Sequence, residues 1–544
     1  MPGPGGVAFP GGAAPGGDGR DLPWVPDASF DGGELDCGSG LLLLIRRHID
    51  PLAPGRLLEL RSREKSVEED LPAWCRMTGN ELVHHARRGD EHVFLVAKGA
   101  FVPPVAPPAA APTVAAAAVG GAGREARAGA ARTPMPAAEA PRPVVALESL
   151  PAPAPAPAVP PLAVFGVGSW PRPRWMLRAI HERLEGRMSE EDFQATADDA
   201  VRLAVEAQLR AGVDVVTDGE QRRDGYASFV GARLDNCQLV PVTDLLPYVE
   251  DPAAFARELR ALDVPAEKVR HPAVFGRLSR PRPLARHEAA FVRTLTDRPV
   301  KVALPGPYLL TRTLWMECVS DRAYATREAL AADVVRVLRE EVAELLADGV
   351  ALVQLDEPVL SEVVFGAPSR QRTFMCGALD ARRDPAEELA LAARLLGEVT
   401  AGLPRERLAL HVCRGNWTPD ERAALTGDYA PLLPFLADAP VGMVVLEACT
   451  HRAGALEVIA DLPRRLRIGV GVLDQKSPRV ESVDEVHARV ARAVALFGAD
   501  RVVLHPDCGF ATFADNPIAS AEVAEGKLRA AVEAVRRTTG TKVP

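Results

Sequence analysis

From about residue 163 to residue 540 the chain repeats one hydrophobic grammar: an amphipathic stretch, a Gly or Asp-Gly stop, a short apolar run, then a polar residue. The segments "AVRLAVEAQLRAGVDVVTDGE" and "VLREEVAELLADGVALVQLDEP" are its clearest copies. Apolar residues every three or four positions predict helices, and the short apolar runs predict buried strands. The strand candidates, in order, are "AVFGVGS", "VDVVTDGE", "VKVALPGP", "ALVQLDEP", "LALHVCRG", "GMVVLEAC", "RIGVGVLD" and "RVVLHPDC". Eight strands alternating with helices predict a (β/α)8 barrel.

Residues 33–100 carry a denser pattern that reads strand, helix, strand, helix, strand: "GELDCG", "GLLLLIRRHIDPL", "GRLLELRS", "EEDLPAWCRMTG" and "HVFLVAKG". This predicts a small α/β two-layer sandwich close to the lower size limit for a self-sufficient core. Between the two units, residues 101–162 reduce to Pro, Ala and Gly, as in "FVPPVAPPAAAPTVAAAAVGGAG", and predict a disordered linker. Residues 1–32 read as a disordered leader.

A chain of 544 residues with 47% apolar and 25% charged residues is that of a globular protein of more than one domain. The longest apolar runs, such as "SGLLLLI", are shorter than the roughly 18–20 residues of a membrane span. The leader lacks the basic-then-apolar order of a signal peptide, which points to a cytoplasmic protein without a membrane association. A net charge of −9 argues against nucleic acid as a partner. The eight cysteines contain no C-x-x-C pair, so reduced thiols are expected.

In a barrel the chemistry collects at the C-terminal strand ends. The polar residues there are Ser169, Asp218 with Glu220, Asp356 with Glu357, His411 with Cys413, Glu447, Asp474 with Lys476, and Cys508. His411 and Cys413 are two apart on one strand and project to the same side. With Glu447 and Cys508 they offer one nitrogen, two sulfurs and one oxygen, a set suited to Zn2+. Cys449 and His451 in "EACTHR" compete for a place in it, while His505 is expected to pack beside it and Cys75 in the first unit to be core.

The segments "HVC", "LEACT", "GVLDQKSPRVES" and "HPDCG" together resemble the C-terminal catalytic barrel of cobalamin-independent methionine synthase. "VGS" at 167–169, "DGEQRRD" at 218–224, "SRPRPL" and "VQLDEPVLSE" at 353–362 follow in that family's order. The resemblance implies a zinc-dependent methyltransferase that converts homocysteine or a related thiol to a thioether, as in methionine biosynthesis. It assigns His411, Cys413, Glu447 and Cys508 to zinc and Val167, Ser169, Glu220 and Asp356 to the amino acid, with Glu362 on the methyl-donor side. The family's proton-donating histidine is replaced here by Lys476, which with Asp474 forms the candidate catalytic pair. The family's second, N-terminal barrel is absent from this chain, which leaves the methyl donor open.

The first unit resembles the TusA/SirA sulfur-carrier family through "LD", "PG" and "EEDLPAWCRMTGNELV", with Cys37 as candidate sulfur carrier and Gly38 where that family has Pro. This implies an alternative function, a sulfur relay in which the TusA-like domain delivers persulfide sulfur to a zinc-bound acceptor in the barrel. A sulfurtransferase or a corrinoid protein then joins the small-molecule thiol and methyl donor as a possible partner.

Overall fold

The computed structural model describes residues 22–33, 41–49, 52–65, 67–78, 80–101, 145–241, 270–315, 320, 323–365, 384–415, 425–514 and 517–540. The chain divides into two compact units, Met1–Ala130 and Ala131–Pro544.

In the first unit, strands β1 (Ala28–Asp31), β2 (Leu57–Ser62), β3 (Glu81–Arg88) and β4 (Glu91–Ala97) form a sheet in the order β1-β2-β4-β3. β1 runs parallel to β2, and β4 is antiparallel to both β2 and β3. Helices Leu42–Ile49 and Val67–Thr78 supply Leu41, Ile45, Val67, Leu71 and Trp74 to a core completed by Leu58, Leu60, Phe94 and Val96. Cys75 is buried in that core, as expected. Two expectations change. The first strand lies at 28–31, inside the supposed leader, because Ala28 and Phe30 pack on the core while Asp27 and Asp31 face outwards to Arg56 and Arg63. The strand β3 was not foreseen, since "ELVHHARR" has no apolar alternation and pairs as an edge with the wholly buried β4. The predicted strand "GELDCG" beyond Gly33, and Cys37 within it, lie outside the described residues.

The second unit is the expected barrel. β7 (Lys301–Pro305), β8 (Leu352–Asp356), β9 (Leu408–Val412), β10 (Met443–Leu446), β11 (Arg467–Leu473) and β12 (Val502–Pro506) form one parallel sheet, each paired with its sequence neighbour. The first two predicted strands are reduced to single bridges, Val164 to Leu504, Phe165 to Val215 and Val216 to Val300, and these close the ring between β12 and β7. A hairpin of β5 (Asp235–Pro241) and β6 (Arg270–Ser279) is inserted after the second strand position.

Strand alternation sorts the interior into layers. At the bottom Phe165, Val215, Leu352, Ala409, Met443 and Val503 make an apolar plug, with Val445 level with His411 above it. Two residues further along the same strands come Gln354, His411 and His505, and a further step along gives Asp356, Cys413, Glu447 and Asp507, all buried. Gly471 on β11 fits this layer because a Cβ there would lie 1.9 Å from Asp507 Oδ1.

The supposed linker behaves differently in its second part. Residues 102–144 lie outside the described set, whereas 145–162 form a strap across the N-terminal end of the barrel. Ala154 N–H donates to Leu346 O at 3.1 Å, and Leu162 N–H to Val502 O at 2.8 Å. Arg407 donates to Ala154 O at 2.7 Å, and Arg467 donates to Val159 O and Pro160 O at 2.8 and 2.6 Å. Proline removes its own N–H donor but leaves its carbonyl, so an extended Pro/Ala segment is a row of acceptors that arginines can pin. Composition predicts no core here, but it does not see this docking. A fragment beginning at Val145 is therefore expected to melt a few degrees higher than one beginning at Leu162, a loss consistent with about 1–3 kcal/mol for stripping buried donors of their acceptors. Paired thermal denaturation of the two fragments checks this.

Candidate metal centre

Among the described residues, one group of metal-ligating side chains converges: His411, Cys413 and Cys508, all buried, with ligand atoms within 4.8 Å of one another. β9 supplies His411, Cys413 follows the strand directly at the i, i+2 spacing, and the turn after β12 supplies Cys508. Cys508 Sγ lies 4.0 Å from His411 Nε2. His411 Nδ1 faces the Val445 carbonyl at 3.1 Å; a carbonyl only accepts, so Nδ1 carries the proton and Nε2 is left for a ligand. The donor set fits zinc: bond lengths of roughly 2.0 Å to nitrogen and 2.3 Å to sulfur put tetrahedral ligands within about 4 Å of each other.

Electrostatics favour ionised sulfur here. The Cys508 hydrogen bond and the neighbouring His411 hold the Cys413 thiol well below its usual range against the effect of burial, while the same hydrogen bond pushes Cys508 up. Burial opposes protonation of His411, but Cys413 and the Asp356 charge carry its pKa up to about 9.

Glu447 lies next to this group and outside it. It follows β10 immediately, and its carboxylate accepts from Arg414 N–H at 2.9 Å and meets Arg452 Nε at 3.3 Å. Neither Cys449 nor His451 joins the group. Cys449 donates its N–H to Asp507 Oδ1 at 2.9 Å, and burial raises its thiol pKa; His451 is exposed. His505 is buried and stacked on Phe165 at 5.9 Å between ring centres, with burial lowering its pKa to about 3.

Two buried carboxylates adjoin the cluster. Asp356 pairs in register with His411 across β8 and β9. Glu220 sits in the "DGE" turn with a φ of 54°, a left-handed conformation that is uncommon outside glycine. The close approach of the "VGS" turn allows this, since a Cβ on Gly168 would lie 2.2 Å from Glu220 Oε1. Burial raises the Glu220 pKa to about 7, with Asp356 and Asp218 adding to it and Arg223 opposing. Ser169 Oγ accepts from Ala511 N–H at 3.2 Å, which ties the "VGS" turn to the turn that carries Cys508. Glu362, in helix Val359–Phe365, lies 3.9 Å from Arg312. Asp474 and Lys476 form a tight turn after β11, with Lys476 N–H donating to Asp474 Oδ1 at 3.0 Å.

Sequence reading missed Lys301. Its ammonium is fully inside the barrel, donating to the Val167 carbonyl and, at 2.8 Å, to Gln354 Oε1, 4.9 Å from the centre of the Phe165 ring. Gln354 Nε2 in turn donates to Val167 O at 3.1 Å and Asp356 Oδ1 at 2.7 Å. Burial lowers the Lys301 pKa to about 7 while Asp356 and Glu220 hold it up. The available signal was a lysine beginning an otherwise apolar strand.

Residues 162–536 match the family model described as cobalamin-independent synthase, catalytic domain. The chain belongs to this family. Its second unit is 29% identical over 355 residues to 5-methyltetrahydropteroyltriglutamate–homocysteine methyltransferase of Nitratidesulfovibrio vulgaris, a match covering 65% of this chain and 39% of that protein. The chain thus spans well under half of that relative's length. It is 26% identical over 387 residues to the methionine synthase of Saccharolobus solfataricus, covering 71% of this chain and 95% of that one. A solved structure of a B12-independent methionine synthase from Shewanella sp. W3-18-1 superposes with a TM-score of 0.53 at 23% identity, covering 70% of this chain and 98% of that one, and so shares the fold.

Replacing Lys301 by Met should leave Gln354 Oε1 without its donor and remove a buried cation that stabilises the Asp356 carboxylate. The expected cost is about 1–3 kcal/mol of stability, read as a lower urea midpoint.

Proposed function

We propose that the barrel transfers a methyl group to the sulfur of homocysteine or a similar amino-acid thiol, with zinc held by His411, Cys413 and Cys508 and by Glu447 once it turns from Arg452. The observation that carries this reading is the juxtaposition of a His/Cys/Cys cluster with two buried carboxylates, Glu220 and Asp356. When bound, zinc supplies acidity that keeps a coordinated thiol as thiolate at neutral pH. Glu220 and Asp356 hold the substrate ammonium, and the "VGS" turn with Ser169 receives its carboxylate. Burial of the whole set keeps water from the sulfur. The sulfur lone pair forms the new bond to the methyl carbon, and the donor leaves with the electrons of the broken bond and takes up a proton. Lys476, anchored through Asp474, is the group proposed to face that donor. Family membership and the relatives' printed names support this reading.

Replacing Cys413 or Cys508 by Ser is expected to lower zinc content to a small fraction of one per chain and to abolish methionine formation from homocysteine. Metal analysis and product mass with methyltetrahydrofolate, methylcobalamin or S-methylmethionine as donor check this. Full zinc occupancy in both variants would reject the ligand set. Asp356→Asn should weaken an amino-acid thiol by about 1.5–3 kcal/mol with zinc retained. Because a protonated Glu220 cannot pair with an ammonium group, affinity for homocysteine should strengthen as the pH rises through about 7. Calorimetric titration across that range should show the dependence flattened in Glu220→Gln.

The sulfur-relay alternative rests on the sequence of the first unit, since Cys37 lies outside the described residues. It requires that methyl or sulfur transfer by a fragment starting at Val145 be slow and be restored by added residues 1–130 carrying Cys37. We rank it second.

A further inference from the structure

At the end of the barrel opposite the cysteines, the N-terminal ends of β8 to β11 surround a cavity of about 540 Å³, walled on one side by strap residues 156–159. Arg405, Arg407, Arg465 and Arg467 line it, and Glu406 is the one carboxylate among its lining residues. Four arginines therefore face one space with a single carboxylate among them, in a chain of net charge −9.

The hydrogen bonds of these four arginines go to backbone carbonyls. Arg407 is fully engaged with Leu346, Val350 and Ala154. Arg467 holds Val159 and Pro160 but leaves a buried Nε without a partner. Arg405 and Arg465 are exposed at the rim and each reaches one carbonyl, that of Ala439 and Ala437 respectively. Strap clamping thus explains Arg407 and Arg467, but not Arg405 or Arg465. Like charges gathered around a space repel unless an anion enters, and the guanidinium fork matches phosphate oxygens. The volume falls within the range of small-molecule sites, and Val159, Ala351 and Val441 offer an apolar wall.

We propose that this cavity binds a small, multiply charged phosphate compound, with Arg405 and Arg465 on its phosphate oxygens. The site is independent of the methyl-transfer reading, because it lies at the other end of the strands. The purely structural alternative is that the arginines only fasten the strap, as residues at this face of a barrel commonly serve stability.

Isothermal titration of the full chain with inorganic triphosphate, and separately with ATP, distinguishes the two. Binding is expected with a Kd below about 1 mM, weakening as salt rises. The double variant Arg405→Gln, Arg465→Gln should bind at least about tenfold more weakly with an unchanged melting temperature, since neither residue clamps the strap. Equal affinity for the two ligands supports recognition of phosphate alone, and tighter ATP supports use of the apolar wall. Absence of binding to the wild-type chain at about 10 mM ligand, or equal affinity in the double variant, overturns the proposal.

Discussion

A charge buried inside the barrel has to be compensated there, because taking an ion out of water costs several kcal/mol that only close partners return. Arg223 stands 3.8 Å from Glu220, and on the Asp356 side the interior cation is Lys301. It reaches the Val167 carbonyl and Gln354, and through Gln354 it is linked to Asp356, which stands beside His411. The carboxylates can therefore be buried beside a cluster of thiols without a matching number of surface contacts. Burial raises Glu220 to about 7 against the opposing charge of Arg223, 3.8 Å away, and its backbone is left-handed at a φ of 54°.

The barrel's geometry makes that arrangement possible. Alternation gives three of the strands an apolar residue at the bottom and polar or ionisable ones in the middle and at the top: Leu352, Gln354 and Asp356; Ala409, His411 and Cys413; Val503, His505 and Asp507. The apolar plug closes the interior from below, so the polar layers open only to the mouth. Asp507 completes the support, accepting from the N–H groups of Ala448 and Cys449 and so fixing the turn after Glu447.

Much of this was legible in the sequence because strand ends are marked by a change from apolar to polar residues. Asp356, His411, Glu447 and Cys508 all lie within two residues of an observed strand end. What escaped has physical causes. Lys301 begins its strand instead of ending it, so the search for polar residues past the strand did not reach it. The strap is held by arginines more than 180 positions away, and nothing in its own Pro/Ala composition announces them. Strand β3 has no alternation because its neighbour β4 supplies the buried face. Glu447 was grouped with the other three candidates from its strand-end position and the family resemblance, and its ties to Arg414 and Arg452 could not be read from spacing.

Two cysteines and a histidine at the barrel mouth are proposed to bind zinc and leave room for a substrate thiol. Zinc K-edge X-ray absorption on the zinc-loaded full chain tests it most directly. The account predicts two sulfur scatterers at about 2.3 Å together with nitrogen or oxygen ligands, rising to three sulfurs when homocysteine is added. A zinc shell without sulfur, or a sulfur count that homocysteine leaves unchanged, would contradict it.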